Sequence, residues 1–124
     1  MEDPGNPTLV YRAIIDQLAS RASSSVGAAI AKDRLFSETS DNAPFNELLR
    51  ALSPSQRELL SRMLLVERKS AIHDALAILS WWVDCREVSL AYKGAPMQVD
   101  ASGMGLHGDF IGRCSDWEWP ASEA

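Results

Sequence analysis

Two glycine-flanked acid–base residues and two tryptophans fall within 17 positions near the carboxy terminus, and that concentration limits what the rest of the chain can be. After a Leu-rich, helically patterned stretch the pattern changes at Arg86. Val88, Leu90 and Tyr92 alternate, and Lys93-Gly94 follows. Then come Gly103-Met104-Gly105-Leu106-His107-Gly108-Asp109-Phe110 and Trp117-Glu118-Trp119-Pro120. Aromatic surface is costly to leave in water. The segment is therefore expected to fold back onto the preceding helices, with any pocket at that junction.

A chain of 124 residues fits one domain, spanning 1–124, with a helical part over 7–84 and a hairpin and closing segment over 86–120. At this size roughly two-thirds of the surface can be buried on folding. No apolar run approaches the ~20 residues of a membrane span. Met1-Glu2-Asp3-Pro4-Gly5 lacks the basic and apolar regions of a signal peptide, so the expected location is the cytoplasm, with no membrane partner. The net charge of −5 argues against a nucleic acid polymer as partner, because that binding draws on phosphate neutralisation. Acidity suits a basic protein partner, and it is also a common solubility device. In that compartment Cys85 and Cys114 are expected as free thiols rather than a bridge.

Local signals place the helices. Asn6-Pro7 reads as an N-cap with Pro at the first helical position, and Val10, Tyr11, Ile14, Ile15 and Leu18 share a face, so a helix is expected from 7 to about 21. Val26, Ala29 and Ile30 continue that helix or begin a short second one. Residues 33–43 read as a loop. Pro44 opens a short helix through Phe45, Leu48, Leu49 and Leu52. Ser53-Pro54-Ser55-Gln56 is a capping box with Pro at the first position, followed by Leu59, Leu60, Met63 and Leu64 on one face. The next stripe, Ile72, Ala75, Leu76, Leu79 and Val83, is rotated from the first. Either two helices meet near 67–70, or one long helix turns a different side to a different neighbour; two elements or a kinked one is the favoured reading, although no Pro or Gly forces a break. Arg86–Asp100 is expected to form a β-hairpin about Lys93-Gly94-Ala95-Pro96. Pro96 confines its second strand to an edge or a late start.

Several residues are candidates for a site, each with a plainer role beside it. His73 and Asp74 are adjacent on a helix, about 100° apart, so they are not expected to face each other. His73 either lines a groove with Ser70 and Ala77 or bonds a loop carbonyl. His107 and Asp109 could form an acid–base pair. The simpler account makes Asp109 a cap for a short helix over 109–114. Trp81 and Trp82 are adjacent, so one is expected to pack inward while the other covers the hairpin or a second subunit. Trp117 and Trp119 alternate around Glu118. With Arg113 they either sandwich a planar ligand or clamp the tail to the helices. No Cys-x-x-Cys or His-Glu-x-x-His spacing, phosphate loop, nucleophile elbow or dinucleotide fingerprint is present. Neither a metal nor a cofactor is expected.

Leu52-Ser53-Pro54-Ser55-Gln56-Arg57-Glu58-Leu59-Leu60, running on to Ala71-Ile72-His73-Asp74-Ala75-Leu76, resembles the helical pair of a family of small bacterial proteins with no assigned function. Gly105–Arg113 followed by Asp116-Trp117-Glu118-Trp119-Pro120 resembles that family's closing signature. The resemblance covers about residues 45–120. It implies a shared fold rather than an activity, and draws notice to His73, Asp74, Asp109, Arg113, Trp119 and Pro120. This chain has Lys69-Ser70 where relatives tend to have a glycine turn, and Trp117 inserted in the closing motif.

The expected fold is α+β: a small bundle of four to five helices with one β-hairpin and a carboxy-terminal segment folded back on it. The expected function is a non-catalytic interaction or ligand-binding module, with a homodimer, a protein partner or a small molecule as its occupant. Two alternatives stand beside it. One is an immunity-type protein sequestering a protein or a nucleotide-like signal. The other is an enzyme using His107, Asp109 or His73 as acid–base groups.

Overall fold

The computed structural model describes residues 5–121. Most of the Met1–Gly5 segment read for a signal peptide lies outside that range. Five helices and one hairpin follow in order: α1 (Pro7–Ala22), α2 (Val26–Asp33), α3 (Ala43–Ala51), α4 (Pro54–Cys85), β1 (Ala91–Tyr92), β2 (Ala95–Pro96) and α5 (Gly105–Cys114). This is the expected α+β arrangement. No helix among the described residues is long and apolar enough to cross a membrane.

The helix starts follow from local chemistry. The Asn6 side chain accepts from the Leu9 amide at 2.9 Å, with Pro7 at the first position. Ser25 opens α2 in the same way, so residues 26–33 form a second helix rather than a continuation of α1. At α4 the capping box closes in both directions. The Gln56 amide donates to Ser53 Oγ at 3.2 Å, and the Ser53 amide donates to Gln56 Oε1 at 2.9 Å.

α4 decides between the two readings of residues 67–70 against the favoured break. It is one helix of 32 residues, about 48 Å long. The stripe rotates because the two halves meet different neighbours. The amino-terminal half lies on α2, where Ser61 Oγ donates to the Ala28 carbonyl at 2.7 Å beside the small, buried Ala28 and Ala31. The Arg57 guanidinium donates to the carbonyls of Ala31 (2.7 Å), Ile30 (2.9 Å) and Arg34, supplying partners to the open carbonyl end of α2. Arg68 does the same for α1 through the Arg21 carbonyl, at 2.7 Å. The carboxy-terminal half lies against α1 and α5. With no Pro or Gly to break the ladder, a change of neighbour needs no change of helix.

The core sits at that second junction. Tyr11, Ile15 and Ala22 of α1, Leu76 of α4, and Leu106 and Phe110 of α5 form it. Leu18, Ile72, Leu79, Leu90, Met97, Val99 and Trp119 pack around it. The closing segment therefore does more than cover the bundle. Phe110 is fully buried, and α5 supplies two of the largest core side chains.

The hairpin is shorter than expected. Ala91 pairs with Pro96 and Tyr92 with Ala95, and the Met97 amide adds a bond to the Leu90 carbonyl at 2.8 Å. Lys93 and Gly94 both have positive φ (49° and 80°), as the tight two-residue hairpin turn requires. Pro96 brings no amide to the ladder, and the Val88 amide is committed to the Trp82 carbonyl at 3.2 Å.

Candidate functional site

Asp109 is the most deeply buried charged side chain among the described residues, with no exposed surface. It lies within α5, which begins at Gly105 instead of the expected Asp109, so it does not cap that helix. The amides at the start of α5 find partners elsewhere. Asp100 Oδ1 accepts from the Gly105 amide at 2.5 Å, and Ser80 Oγ of α4 accepts from the Leu106 amide at 3.3 Å. Freed from capping, the Asp109 carboxylate gathers three donors. Tyr11 Oη donates at 2.5 Å, the Ala101 amide at 2.8 Å and the Ser102 amide at 2.7 Å. Tyr11 in turn accepts from the Asp100 amide at 3.4 Å. Burial, followed by the bond to Asp109, pushes the Tyr11 hydroxyl far above its ordinary pKa, so it stays a donor.

This network fastens the 100–105 loop to α1 and α5. Asp100, Gly103 and Gly105 all have positive φ there. At Gly105 (φ 84°) a Cβ would lie 2.5 Å from Ser80 Oγ and 2.6 Å from His107 Cε1, so α4 and α5 approach closely because nothing stands between them.

His107 and Asp109 are not joined. The Asp109 oxygens are committed to Tyr11 and the loop, and buried His107 Nδ1 has no hydrogen-bond partner among the described residues. The His107 ring meets His73 edge to face, centroids 5.2 Å apart. His73 and Asp74 do touch, contrary to the expectation from helix geometry: Nδ1 and Oδ1 are 3.2 Å apart. Both side chains reach far enough to bend across the 100° between them at the surface, where Asp74 is exposed.

The last tryptophan is held by α1. Asp16 accepts from Arg113 Nε at 2.6 Å and from Trp119 Nε1 at 3.1 Å. Arg113 Nη1 donates to the Trp117 carbonyl at 2.7 Å, and Arg12 to the Pro120 carbonyl at 2.9 Å. The guanidinium carbons of Arg12 and Arg113 lie 5.3 and 5.5 Å from the Trp119 ring centroid, and Tyr11 meets that ring edge-on at 6.0 Å. Trp117 packs on Gly112, where a Cβ would come within 3.0 Å of the indole, and meets Trp119 at 5.2 Å. The protein's own side chains thus surround Trp119 in a clamp.

Trp81 and Trp82 depart from expectation, since neither packs inward. They are 46% and 47% exposed and meet each other edge to face at 5.2 Å, with Arg86 over Trp81. Leu59, Met63 and Val66, further up α4, are also exposed. The stripe read as Leu59, Leu60, Met63 and Leu64 therefore does not all face the core. A hollow of about 290 Å³ opens beside it, between α3 and α4, lined by Phe36, Phe45, Leu48, Leu49, Leu60 and Leu64 among others. Both cysteines are free, and burial raises the Cys114 thiol. No group of three or more His, Cys, Asp or Glu among the described residues is placed to hold a metal ion.

Tyr11, Asp16, Asp100 and Ser80 were not singled out by the sequence. Tyr11 read as one more member of an apolar stripe. Its one clue is that a buried phenol needs a polar partner, and that partner is 98 residues away.

Fold and site together define a small α+β protein whose helical bundle is completed by its own carboxy-terminal helix and sealed by a buried Tyr–Asp network. Over residues 5–121 the chain matches a family of unknown function, DUF6547, and it belongs to that family. The match takes in α1 and α2, beyond the 45–120 span of the resemblance. No curated protein and no solved structure matches it.

Proposed function

We propose that this protein is a non-catalytic protein-binding module whose docking surface is the outer side of α4. One observation carries the reading. Six large apolar side chains of that helix, Leu59, Met63, Val66, Ile78, Trp81 and Trp82, are at least 46% exposed along about 35 Å of helix. Exposed apolar surface on this scale marks interaction sites more often than accident. Exposed tryptophans suit an anchoring role, because indole is enriched among residues that dominate binding energy. The titratable residues where the tail meets the bundle point the same way. Asp109, Asp16 and Arg113 spend their hydrogen bonds inside the fold, which leaves little for acid–base chemistry.

The test compares the full-length chain with a Leu59→Ser/Met63→Ser/Trp81→Ser variant, both tagged and recovered from the native host. Bound proteins are quantified by mass spectrometry, and a differently tagged second copy of the chain is followed in the same experiment. A partner held by the parent and lost by a variant with unchanged melting supports the reading. Identical sets of bound proteins from both would remove it.

A further inference from the structure

Resting on that reading, we infer that the occupant of the α4 face is a second copy of this chain, its α4 antiparallel to the first about a two-fold axis near Ser70 and Ala71.

The charges of α4 run against its own dipole. Residues 54–69 carry Arg57, Arg62, Arg68 and Lys69 against Glu58 and Glu67, whereas residues 70–85 carry Asp74 and Asp84 and no cation. No acidic residue stands in the first turn and no basic residue in the last. A lone helix favours the reverse. An antiparallel copy sets the two helix dipoles in opposition, with Arg57 and Arg68 taking no part across the pair because they are turned to the carbonyl ends of α2 and α1. A parallel copy would align the two dipoles.

The apolar surface is divided in the same way. The amino-terminal half of α4 borders the hollow lined by Phe45, Leu48, Leu60 and Leu64, and the carboxy-terminal half bears the exposed Trp81–Trp82 pair. Each copy thus carries both a socket and a plug. Their registers agree: Leu60 and Trp81 are equidistant from the point between Ser70 and Ala71, one residue from the middle of the helix. A two-fold there sets Trp81 level with Leu60 of the second copy, Met63 with Ile78, and Val66 with Ala75; it also sets Glu67 level with Asp74, a like-charge pair whose repulsion the apolar contacts must outweigh. Ser70 and Ala71, at the crossing, are exposed and small enough for close approach in the shallow-angle packing mode of paired helices. At their exposed fractions, the six α4 side chains with Phe45 and Leu48 offer on the order of 900 Å² per copy, against ~800 Å² per partner in a standard interface. A two-fold contact of this kind closes on itself, so assembly stops at two.

The test uses the full chain. Sedimentation velocity should give twice the 13.6 kDa chain mass, with the Trp81→Ser/Trp82→Ser variant dissociating about 100-fold more readily or worse. Orientation is read by oxidative cross-linking in a Cys85→Ser/Cys114→Ser background. Ser70→Cys should cross-link to itself, and Met63→Cys only when mixed with Ile78→Cys. Self-linking of Leu59→Cys without that of Ser70→Cys would overturn the antiparallel arrangement. A monomer at every concentration would overturn self-pairing, yet leave the binding-module reading standing if the serine variants still lose a captured protein. Should those variants lose nothing, both readings fall.

Discussion

Replacing Asp109 with Asn should cost about 3 kcal/mol, well above the ~1 kcal/mol of a lost helix cap. The magnitude comes from the three donors converging on a carboxylate with no exposed surface. An amide has one acceptor oxygen, and its NH₂ must take the other position. Whichever way it is turned, a buried N–H of Ala101 or Ser102 faces another N–H. A hydrogen bond to a charged group is worth roughly 1.5–3 kcal/mol, and a buried unsatisfied donor costs roughly 1–3 more. Relief from burying a charge returns part of that. Against the ~5–15 kcal/mol that holds a domain together, such a loss lowers the melting temperature by about 12 °C. Urea unfolding followed by circular dichroism and tryptophan emission measures it. A double-mutant cycle with Tyr11→Phe should show coupling of at least ~1 kcal/mol. A loss of about 1 kcal/mol or less, with an unchanged denaturant slope and no coupling to Tyr11, would refute the reasoning.

Two further outcomes follow from the same junction. Because the native Tyr11 keeps its proton above the ordinary value of 10 while the unfolded chain releases it, stability should fall as pH rises beyond 10, by up to ~1.4 kcal/mol per unit. Tyr11→Phe should make that decline shallower between pH 10 and 11, and parallel slopes for both proteins would count against the buried phenol. Gly105→Ala should destabilise by more than ~2 kcal/mol, from backbone strain at φ 84° and overpacking against Ser80 and His107. Gly103→Ala, at φ 78° in open space, should lose only the strain of about 1–2 kcal/mol. Equal losses in chemical denaturation would show that the α4–α5 approach is not tight.

The helix starts and the α+β class were legible because their causes are local. Asn6-Pro7 and the Ser53–Gln56 box each satisfy an amide within a few residues, and the 3.6-residue period marks the faces. What a helix face meets is not local. The turned stripe of α4 looked like a break, when it was a single helix passing from α2 to the α1–α5 pair. Leu59 and Met63 looked like core and lie in solvent, since periodicity reports a face and not its neighbour.

The site followed the same division. That the glycine- and tryptophan-rich tail returns to the bundle was written in its composition, through the cost of wet aromatic surface. That Asp109 binds Tyr11 across 98 positions, that Asp16 receives both Arg113 and Trp119, and that Asp100 and Ser80 cap α5 were decided by the tertiary structure alone. Sequence fixes which groups must find partners. Only the packed chain brings distant donors and acceptors within 3 Å and so chooses which partners they are.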